Sequence, residues 1–324
     1  MKVGPYSVPG FYFGDALDLL EKVPDNSIHC CVTSPPYWGL RSYLKEGSPG
    51  KEAELGTEET PWDYVRAMAR VFREVRRVLR EDGTCWINLG DTYAAKRGPQ
   101  VSDSKNPKHD FKESNSLRVP EGLKPKDLIL VPYRVAIALQ EDGWWVRSNI
   151  VWAKTNPMPE SIKDRPTASH ESVFLLTKSQ KYYYDADAVK EDLEHPDAVV
   201  SAGFGGTKKN GSFTYSGNAY NASELDGRNL RNVWRIATKP YRGSHYAAMP
   251  PALVENCVQA GCPKGGVVLD PFLGSGTVAQ VAEDHGRLWL GFDLDERNEP
   301  LIRKRTAQTS LLHRAYNGRS DVRG

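Results

Sequence analysis

The segment from Thr33 to Trp38 combines residue types that could hold a planar polar ring. Proline fixes φ and has no N–H, so the two successive prolines direct the Pro35 carbonyl outward without a competing donor. Tyr37 beside it offers an aromatic face for stacking. The segment therefore predicts a site that accepts hydrogen bonds from a stacked ring, with a proline-rich loop of buried aromatic residues as the structural alternative.

A second segment, from Val267 to Thr277, is typical of a strand that enters a glycine-rich turn and then a helix. Glycine permits positive φ and close approach of a ligand. Asp293 follows Gly276 by 17 residues, near the spacing of about 20 at which an acid binds ribose hydroxyls in dinucleotide folds. The third glycine of GxGxxG and the GxxxxGK[ST] phosphate loop are both missing. A nucleoside without phosphates, such as S-adenosylmethionine, therefore fits better, and a purely structural turn is the alternative.

The elements that must position both segments alternate between strands and helices. An apolar run over 28–33 predicts a strand that the prolines stop, and apolar residues at helical spacing predict a helix over 61–81 with Asp82-Gly83 as its C-cap. Further strands are predicted at 84–89, 145–152, 172–177, 267–269 and 288–292, and further helices at 132–140, 251–260 and 277–285. This alternation predicts an α/β fold with a mostly parallel twisted sheet and helices on both faces. Both candidate segments then lie at the carboxyl ends of strands, where open α/β sheets bind ligands.

One face of the predicted helix over 61–81 carries a stripe of arginines. They are Arg66, Arg70, Arg73, Arg77 and Arg80. Their spacing is compatible with phosphate binding, but a solvated helix face explains the same pattern and is favoured.

The composition of the 324 residues, 39% hydrophobic and 26% charged, indicates a globular protein and excludes a disordered or fibrous one. The net charge of +2 neither demands nor excludes a polyanionic partner. Two segments, 94–125 and 201–235, each carry a local net charge of +3. The first is a long polar loop, and the second mixes glycines, lysines and aromatic residues. We therefore expect an inserted recognition region at 185–240, between segments 1–184 and 241–324 of one catalytic domain.

The five cysteines contain no CxxC pair, which predicts reduced, mainly buried thiols and no metal site. No apolar run reaches the ~18 residues of a membrane span, and no signal peptide is visible. These features predict a cytoplasmic protein without a membrane partner.

The order of the two motifs, Ser34-Pro35-Pro36-Tyr37 before the turn that starts at Asp270, resembles the β-class amino-group DNA methyltransferases. The resemblance covers most of the chain. Gly14 to Leu17 is similar to the family's cofactor-adenine segment, Trp152 to Asn156 and Arg165 to Glu171 are similar to the flanks of its target-base pocket, and His245 to Leu253 is similar to a helix entry beside the cofactor. The resemblance implies a circularly permuted, Rossmann-like fold for S-adenosylmethionine-dependent methyl transfer. Residues 94–125 and 185–235 align with nothing in the family, as expected of target-recognition segments.

The resemblance also implies roles for individual residues. The Ser34 hydroxyl and the Pro35 carbonyl would accept the hydrogens of an exocyclic amine, and Tyr37 would stack on a base swung out of the duplex. Asp293 would bind the ribose and Asp15 the adenine, with a helix-capping role as the alternative for Asp15. The predicted catalytic residues are Ser34, Pro35, Pro36 and Tyr37; the predicted cofactor contacts are Asp15, Thr33, Asp270, Phe272, Gly274, Ser275, Gly276, Thr277 and Asp293; the predicted DNA contacts are Trp38, Arg41, Lys154, Asn156, Arg165, His170, Lys208 and Lys209. For Trp38 a wall of the pocket is the favoured role, and for Lys154, Asn156, Arg165 and His170 surface or packing roles remain open.

Within the family, Ser-Pro-Pro-Tyr accompanies mostly the N4 amine of cytosine and Asp-Pro-Pro-Tyr mostly the N6 amine of adenine. The resemblance thus predicts an S-adenosylmethionine-dependent cytosine-N4 methyltransferase acting on double-stranded DNA, of prokaryotic or phage origin. An adenine-N6 enzyme shares every motif and stays open, and a protein or small-molecule methyltransferase and a non-catalytic DNA-binding regulator are more distant alternatives. Related enzymes are often dimers, and a separate restriction endonuclease is a further expected partner.

Overall fold

The computed structural model describes residues 1–40, 42–44, 47–48, 50–94, 119–193, 199–201, 206–209, 212–215, 219–221, 227–238 and 249–307. The chain divides into two compact units. The larger contains Met1–Tyr184 and Asn232–Gly324, and the smaller contains Asp185–Arg231.

Strands and helices alternate in part of the described chain, and three strands precede the first helix while seven strands lie between the third and the fourth. The strands are β1 (Lys2–Val3), β2 (Tyr6–Ser7), β3 (Gly10–Phe13), β4 (Ile28–Thr33), β5 (Leu79–Leu89), β6 (Trp145–Lys154), β7 (His170–Thr177), β8 (Val199–Ser201), β9 (Gly206–Lys209), β10 (Ser212–Tyr215), β11 (Ala219–Asn221), β12 (Val233–Ile236), β13 (Val267–Asp270) and β14 (Leu288–Asp293). The helices are α1 (Ala16–Leu20), α2 (Pro61–Val78), α3 (Val131–Glu141), α4 (Pro251–Gly261) and α5 (Thr277–Asp284), followed by helical residues 299–307.

Eight of these strands form one open sheet in the order β12-β6-β7-β5-β4-β13-β14-β3. Strand β7 runs antiparallel to both β5 and β6, and every other neighbouring pair in this sheet is parallel. The prediction of a mostly parallel sheet is therefore confirmed. The carboxyl ends of β4, β13, β14 and β3 lie along one edge, because these four strands share a direction.

The helices cover both faces of the sheet, as predicted. Neighbouring residues of a strand point to opposite faces. On β5, Cys85 belongs to the same apolar core as Tyr64 and Phe72 of α2. Trp86, the next residue, instead approaches α4 so closely that a Cβ on Gly261 would lie 2.4 Å from its Nε1 atom. Strand β5 therefore separates a helix layer on one face from a helix layer on the other.

Helix α2 starts as the sequence predicts and ends earlier. Thr60 accepts a hydrogen bond from the N–H of Asp63 at the N-cap, and Pro61 opens the first turn. The last helical residue is Val78, because Leu79 is extended and pairs with Ile28 of β4. The predicted C-cap at Asp82-Gly83 is therefore wrong, because both residues lie within β5. The pairing of β5 with β4 shifts its register between Leu79 and Thr84.

Four of the five arginines of the predicted stripe form ion pairs, and Arg80 lies on β5 instead of on α2. The pairs are Arg66 with Asp63, Arg73 with Asp142, Arg77 with Glu74 and Asp25, and Arg80 with Asp82. The exposed, ion-paired Arg66 and Arg80 fit the solvated-face interpretation, whereas Arg70 and Arg73 line a cleft of the protein.

The sequence did not predict either edge strand of the sheet. Strand β3 pairs with β14, and β12 pairs with β6. Each has only four residues, which is too short for a clear hydrophobic period. Because β12 belongs to the main sheet, the smaller unit ends at Arg231 and not at residue 240. Within that unit, β8 pairs antiparallel with β11 and β9 pairs antiparallel with β10.

All five cysteines are buried and free, in agreement with the predicted buried thiols. Among the described residues, no helix has the length and apolar character that crossing a membrane requires. Most of the basic segment 94–125 lies outside the described residues.

The contact between α4 and β5 generates a stability prediction. A Cβ on Gly261 would lie 2.4 Å from Thr84 Oγ1, and that hydroxyl already donates to the Gly261 carbonyl at 2.9 Å. We expect Gly261→Ala to lower the free energy of unfolding by about 1–3 kcal/mol in urea denaturation, because the added methyl group overpacks the interface. Asn256→Ala, on a less buried position of α4, is the control and should stay within about 0.5 kcal/mol of the wild type. Equal stability of the two variants would contradict the close packing.

Candidate active site

The two segments that the sequence analysis singled out meet at one edge of the sheet. Strand β4 ends at Thr33 and the neighbouring parallel strand β13 ends at Asp270. The Thr33 hydroxyl donates a 2.6 Å hydrogen bond to Asp270 Oδ1 across 237 residues of sequence. Both side chains are buried, so this bond is shielded from water. The proline segment and the glycine turn are thereby held side by side.

A cleft of about 870 Å³ opens at this edge. Its volume falls within the range of about 300–1,000 Å³ of small-molecule sites. The lining includes the predicted residues Asp15, Ser34, Pro35, Pro36, Tyr37, Asp270, Phe272, Gly274, Ser275, Thr277 and Asp293. One cavity therefore joins most of the predicted catalytic residues with most of the predicted cofactor contacts.

The glycine turn between β13 and α5 has the conformation that its residues allow. Gly274 and Gly276 adopt φ values of 53° and 81°, in the left-handed region that favours glycine. A Cβ on Gly276 would lie 3.3 Å from the Cα of Ile302, so a larger residue would also press on the C-terminal helical segment. The Gly274 N–H donates to Asp293 Oδ2 at 2.6 Å, which connects the turn to the end of β14.

Two carboxyl groups at this edge are shielded from water. Burial raises the pKa of Asp270 to about 7, although the hydrogen bonds from Thr33 and the Phe272 N–H partly oppose the shift. Burial likewise raises the pKa of Asp293 to about 6. Asp293 accepts from the Gly274 and Asp295 N–H groups and from Asn298 Nδ2. Both groups therefore titrate close to neutral pH.

Asp15 lies at the cleft and caps a helix at the same time. It is the N-cap residue of α1, and its Oδ1 accepts hydrogen bonds from the N–H groups of Leu17 and Asp18. The helix-capping role, which the sequence left open as the alternative for Asp15, is thus present in the structure. Contact of Asp15 with a cofactor stays a prediction.

The proline loop after β4 is fixed by its own contacts. Pro35 is buried, and the Pro36 carbonyl accepts a 2.8 Å hydrogen bond from the hydroxyl of Tyr64 on α2. Trp38 is only 4% exposed and its indole N–H donates to the Glu58 carbonyl. Trp38 therefore packs inside the protein instead of contacting DNA, since neither its face nor its N–H is available.

Tyr37 is held by a polar network that the sequence analysis missed. Its hydroxyl donates to Glu171 Oε2 at 2.6 Å and accepts from Asn88 Nδ2 at 2.7 Å. Ser34 Oγ donates to the same hydroxyl at 3.3 Å, and Lys154 Nζ donates to Glu171 Oε1. Burial, and next the nearby Glu171 charge, raise the pKa of Tyr37 well above its usual value. A polar residue near the end of a buried strand was the available signal for Asn88.

Four of the eight predicted DNA contacts, Trp38, Lys154, Asn156 and Arg165, are engaged within the protein. Lys154 joins the network around Tyr37 and lies over the Trp152 ring. Asn156 pairs with Thr238 through its amide oxygen and nitrogen, and Arg165 pairs with Glu160. His170 is exposed at the start of β7. Lys208 and Lys209 belong to β9, and Arg41, like His245, lies outside the described residues.

The comparisons with known proteins agree with this geometry. Residues 28–304 match the family N6_N4_Mtase, described as DNA methylase. The chain is 44% identical over 283 residues to Type II methyltransferase M.Cfr9I of Citrobacter freundii, covering 87% of this chain and 82% of that protein. It is 42% identical over 293 residues to M.SmaI of Serratia marcescens, covering 90% and 88%.

Solved structures share the fold at lower identity. PvuII DNA methyltransferase (cytosine-N4-specific) superposes with a TM-score of 0.61 at 19% identity, covering 96% of this chain and 94% of that chain. A Thermus thermophilus protein solved in complex with S-adenosyl-L-methionine has a TM-score of 0.57 at 22% identity, covering 92% of this chain and 93% of that chain. With a family match over most of its length and relatives above 40% identity, this chain is a member of the N6/N4 family of Type II DNA methyltransferases.

Proposed function

We propose that this protein transfers a methyl group from S-adenosylmethionine to the exocyclic N4 amine of cytosine in duplex DNA. The observation that carries the proposal is the single cleft that the Ser34–Tyr37 loop and the glycine turn share, fixed by the bond between Thr33 and Asp270. A methyl donor and an acceptor ring need such adjacent sites, because positioning supplies much of the rate of a transfer between two substrates.

The residues of the cleft fit S-adenosylmethionine. Gly274 and Gly276 leave room for close approach of a ligand to the backbone, and Asp293 at the end of β14 supplies carboxylate oxygens for ribose hydroxyls. The turn lacks a phosphate-binding loop, which suits a nucleoside without phosphates. When bound, S-adenosylmethionine supplies an electrophilic methyl group on a sulfonium. The relative from Thermus thermophilus that was solved with this compound supports the assignment.

The proline loop would act on the acceptor amine. An exocyclic amine is a poor nucleophile because its lone pair is delocalised into the ring. Two acceptors, the Ser34 hydroxyl and the Pro35 carbonyl, would hold its hydrogens and favour the pyramidal form whose lone pair can attack. Tyr37 would stack on the base, which must leave the duplex because its amine is not accessible within the stack.

The choice of cytosine rests on Ser34. In this family Ser-Pro-Pro-Tyr accompanies mostly cytosine N4, and the structural relative PvuII DNA methyltransferase bears the description cytosine-N4-specific. Adenine N6 is the alternative, since adenine also presents an amine beside a ring nitrogen.

The proposed partner is double-stranded DNA. Residues 94–125 and the unit of 185–231, each with basic residues, would contact its backbone and select the site, with Lys208 and Lys209 on β9 and Arg41 as candidate phosphate contacts. The Type II relatives suggest a cytoplasmic role in restriction-modification beside a separate endonuclease. We also propose that the protein forms a homodimer.

The first prediction concerns the product. After incubation with mixed-sequence duplex DNA and S-adenosylmethionine, digestion to nucleosides and mass spectrometry should show N4-methylcytosine. The Ser34→Ala variant, which loses the proposed acceptor, is the control and should form at least about 100-fold less. N6-methyladenine would overturn the choice of base, and the absence of any methylated nucleoside from protein that binds the cofactor would overturn DNA as the acceptor.

The second prediction concerns the Tyr37 ring, which lies against the backbone of Gly90. A Cβ on Gly90 would be 2.5 Å from Tyr37 Cε2, so Gly90→Ala must displace the ring. We expect kcat to fall by about tenfold or more, because misplaced reacting groups lose rate steeply. Gly286→Ala, where a Cβ meets open space at a φ of 71°, carries a backbone penalty without touching Tyr37 and should keep its kcat. Normal turnover of Gly90→Ala would contradict the stacking role.

The third prediction is a pH dependence of cofactor binding. Asp293 loses its proton near pH 6, and only the ionised carboxylate offers all of its lone pairs to ribose hydroxyls while it holds Gly274. The affinity for S-adenosylmethionine should therefore weaken as pH falls from about 8 to about 5, in calorimetric titrations. Asp293→Asn should bind weakly with a flatter pH profile. A constant wild-type affinity over this range would exclude an ionised Asp293 as a ligand.

A further inference from the structure

The carboxylate of Glu171 on β7 is the centre of the network around Tyr37. Oε2 accepts from the Tyr37 hydroxyl at 2.6 Å and from Asn88 Nδ2 at 2.9 Å, while Oε1 accepts from Lys154 Nζ. The side chains of Glu171 and Lys154 are only 15% and 22% exposed. The two side chains form an ion pair, in which the Glu171 carboxylate is the anionic partner of Lys154.

An ionised carboxylate can only accept hydrogen bonds, and this fixes the direction of every bond that follows. The Tyr37 hydroxyl has one proton, and that proton is directed at Glu171. Its oxygen can then only accept from Ser34 Oγ, which lies 3.3 Å away. The raised pKa of Tyr37 keeps that proton on the phenol. The Ser34 proton is thus directed at Tyr37, and the serine lone pairs remain for another donor.

Asn88 adds to the same arrangement. Its Nδ2 donates to both Tyr37 and Glu171, and this orientation leaves its buried Oδ1 without a hydrogen-bond partner among the described residues. A buried acceptor without a partner costs about 1–3 kcal/mol. The opposite amide orientation would bring Oδ1 against the Glu171 carboxylate. The charge of Glu171 therefore also sets the orientation of Asn88.

We infer that Glu171 is a positioning residue that acts through the Tyr37 hydroxyl to hold Ser34 as a hydrogen-bond acceptor for the target amine. A serine hydroxyl by itself can either accept from an amine or donate to a ring nitrogen. The chain from Lys154 through Glu171 and Tyr37 selects the first of these two states. This role rests on the proposed function of Ser34 and Tyr37 in the amine site.

A double-mutant cycle tests the inference. Glu171→Gln keeps the shape of the side chain but can donate as well as accept, and Tyr37→Phe keeps the ring but removes the hydroxyl. Each should lower kcat by about tenfold, with KM for S-adenosylmethionine within about twofold of the wild type. The kcat of the double variant should lie within about twofold of the kcat of either single variant, because both changes break the same chain of hydrogen bonds. Glu283→Gln, which removes a half-buried carboxylate that accepts from Trp289 Nε1, is the matched control and should keep its kcat.

Several outcomes would overturn the inference. Multiplying effects in the double variant would show that Glu171 acts independently of the Tyr37 hydroxyl. An unchanged kcat in Glu171→Gln, or in Tyr37→Phe if the Glu171 variant fails to fold, would show that this hydrogen-bond chain does not position Ser34 for the reaction. The Ser34→Ala variant distinguishes a failure of the proposed amine site from a failure of the Glu171 role. Near-normal kcat of Ser34→Ala overturns the proposed role of Ser34 in the amine site, whereas loss of activity in Ser34→Ala beside a normal Glu171→Gln overturns the inference alone.

Discussion

The hydrogen bond between Thr33 and Asp270 joins the carboxyl ends of two neighbouring parallel strands, and the site depends on this neighbourhood. In a parallel sheet all carboxyl ends meet at one edge, so whatever follows each strand is brought together whatever its distance in sequence. The chain places its proline loop after β4 and its glycine turn after β13. The circularly permuted order of the motifs has no consequence for the geometry, because only adjacency in the sheet counts.

Burial sets the chemistry at this edge. Asp270 and Asp293 have raised pKa values because water is excluded, and each retains hydrogen bonds that connect adjacent loops. On the proposed cofactor side, the turn after β13 is thereby hydrogen-bonded to the end of β14. On the opposite side, the ion pair of Lys154 and Glu171 is far less exposed than a surface pair and organises neutral groups around it. Both sides use buried charge to orient loops that have little regular structure.

The sheet and the smaller unit divide the proposed tasks. The sheet carries the residues that would position a methyl donor and an amine, and its relatives share this architecture at 19% and 22% identity. The smaller unit, in which the structure describes two short antiparallel strand pairs, contains neither of the two motifs. The proposal thus assigns methyl transfer to the sheet and selection of the DNA sequence to the smaller unit.

Sequence alone determined the α/β class, the two motifs and their place at strand ends, because hydrophobic period, proline and glycine act locally. It missed the edge strands β3 and β12 and the true end of α2, and it left the choice between DNA contact and internal packing open for Asn156 and Arg165. Those depend on pairing partners that are remote in the chain. The tertiary structure alone brought Asn88 and Glu171 to Tyr37, since three separate strands or loops must converge before their side chains can exchange hydrogen bonds.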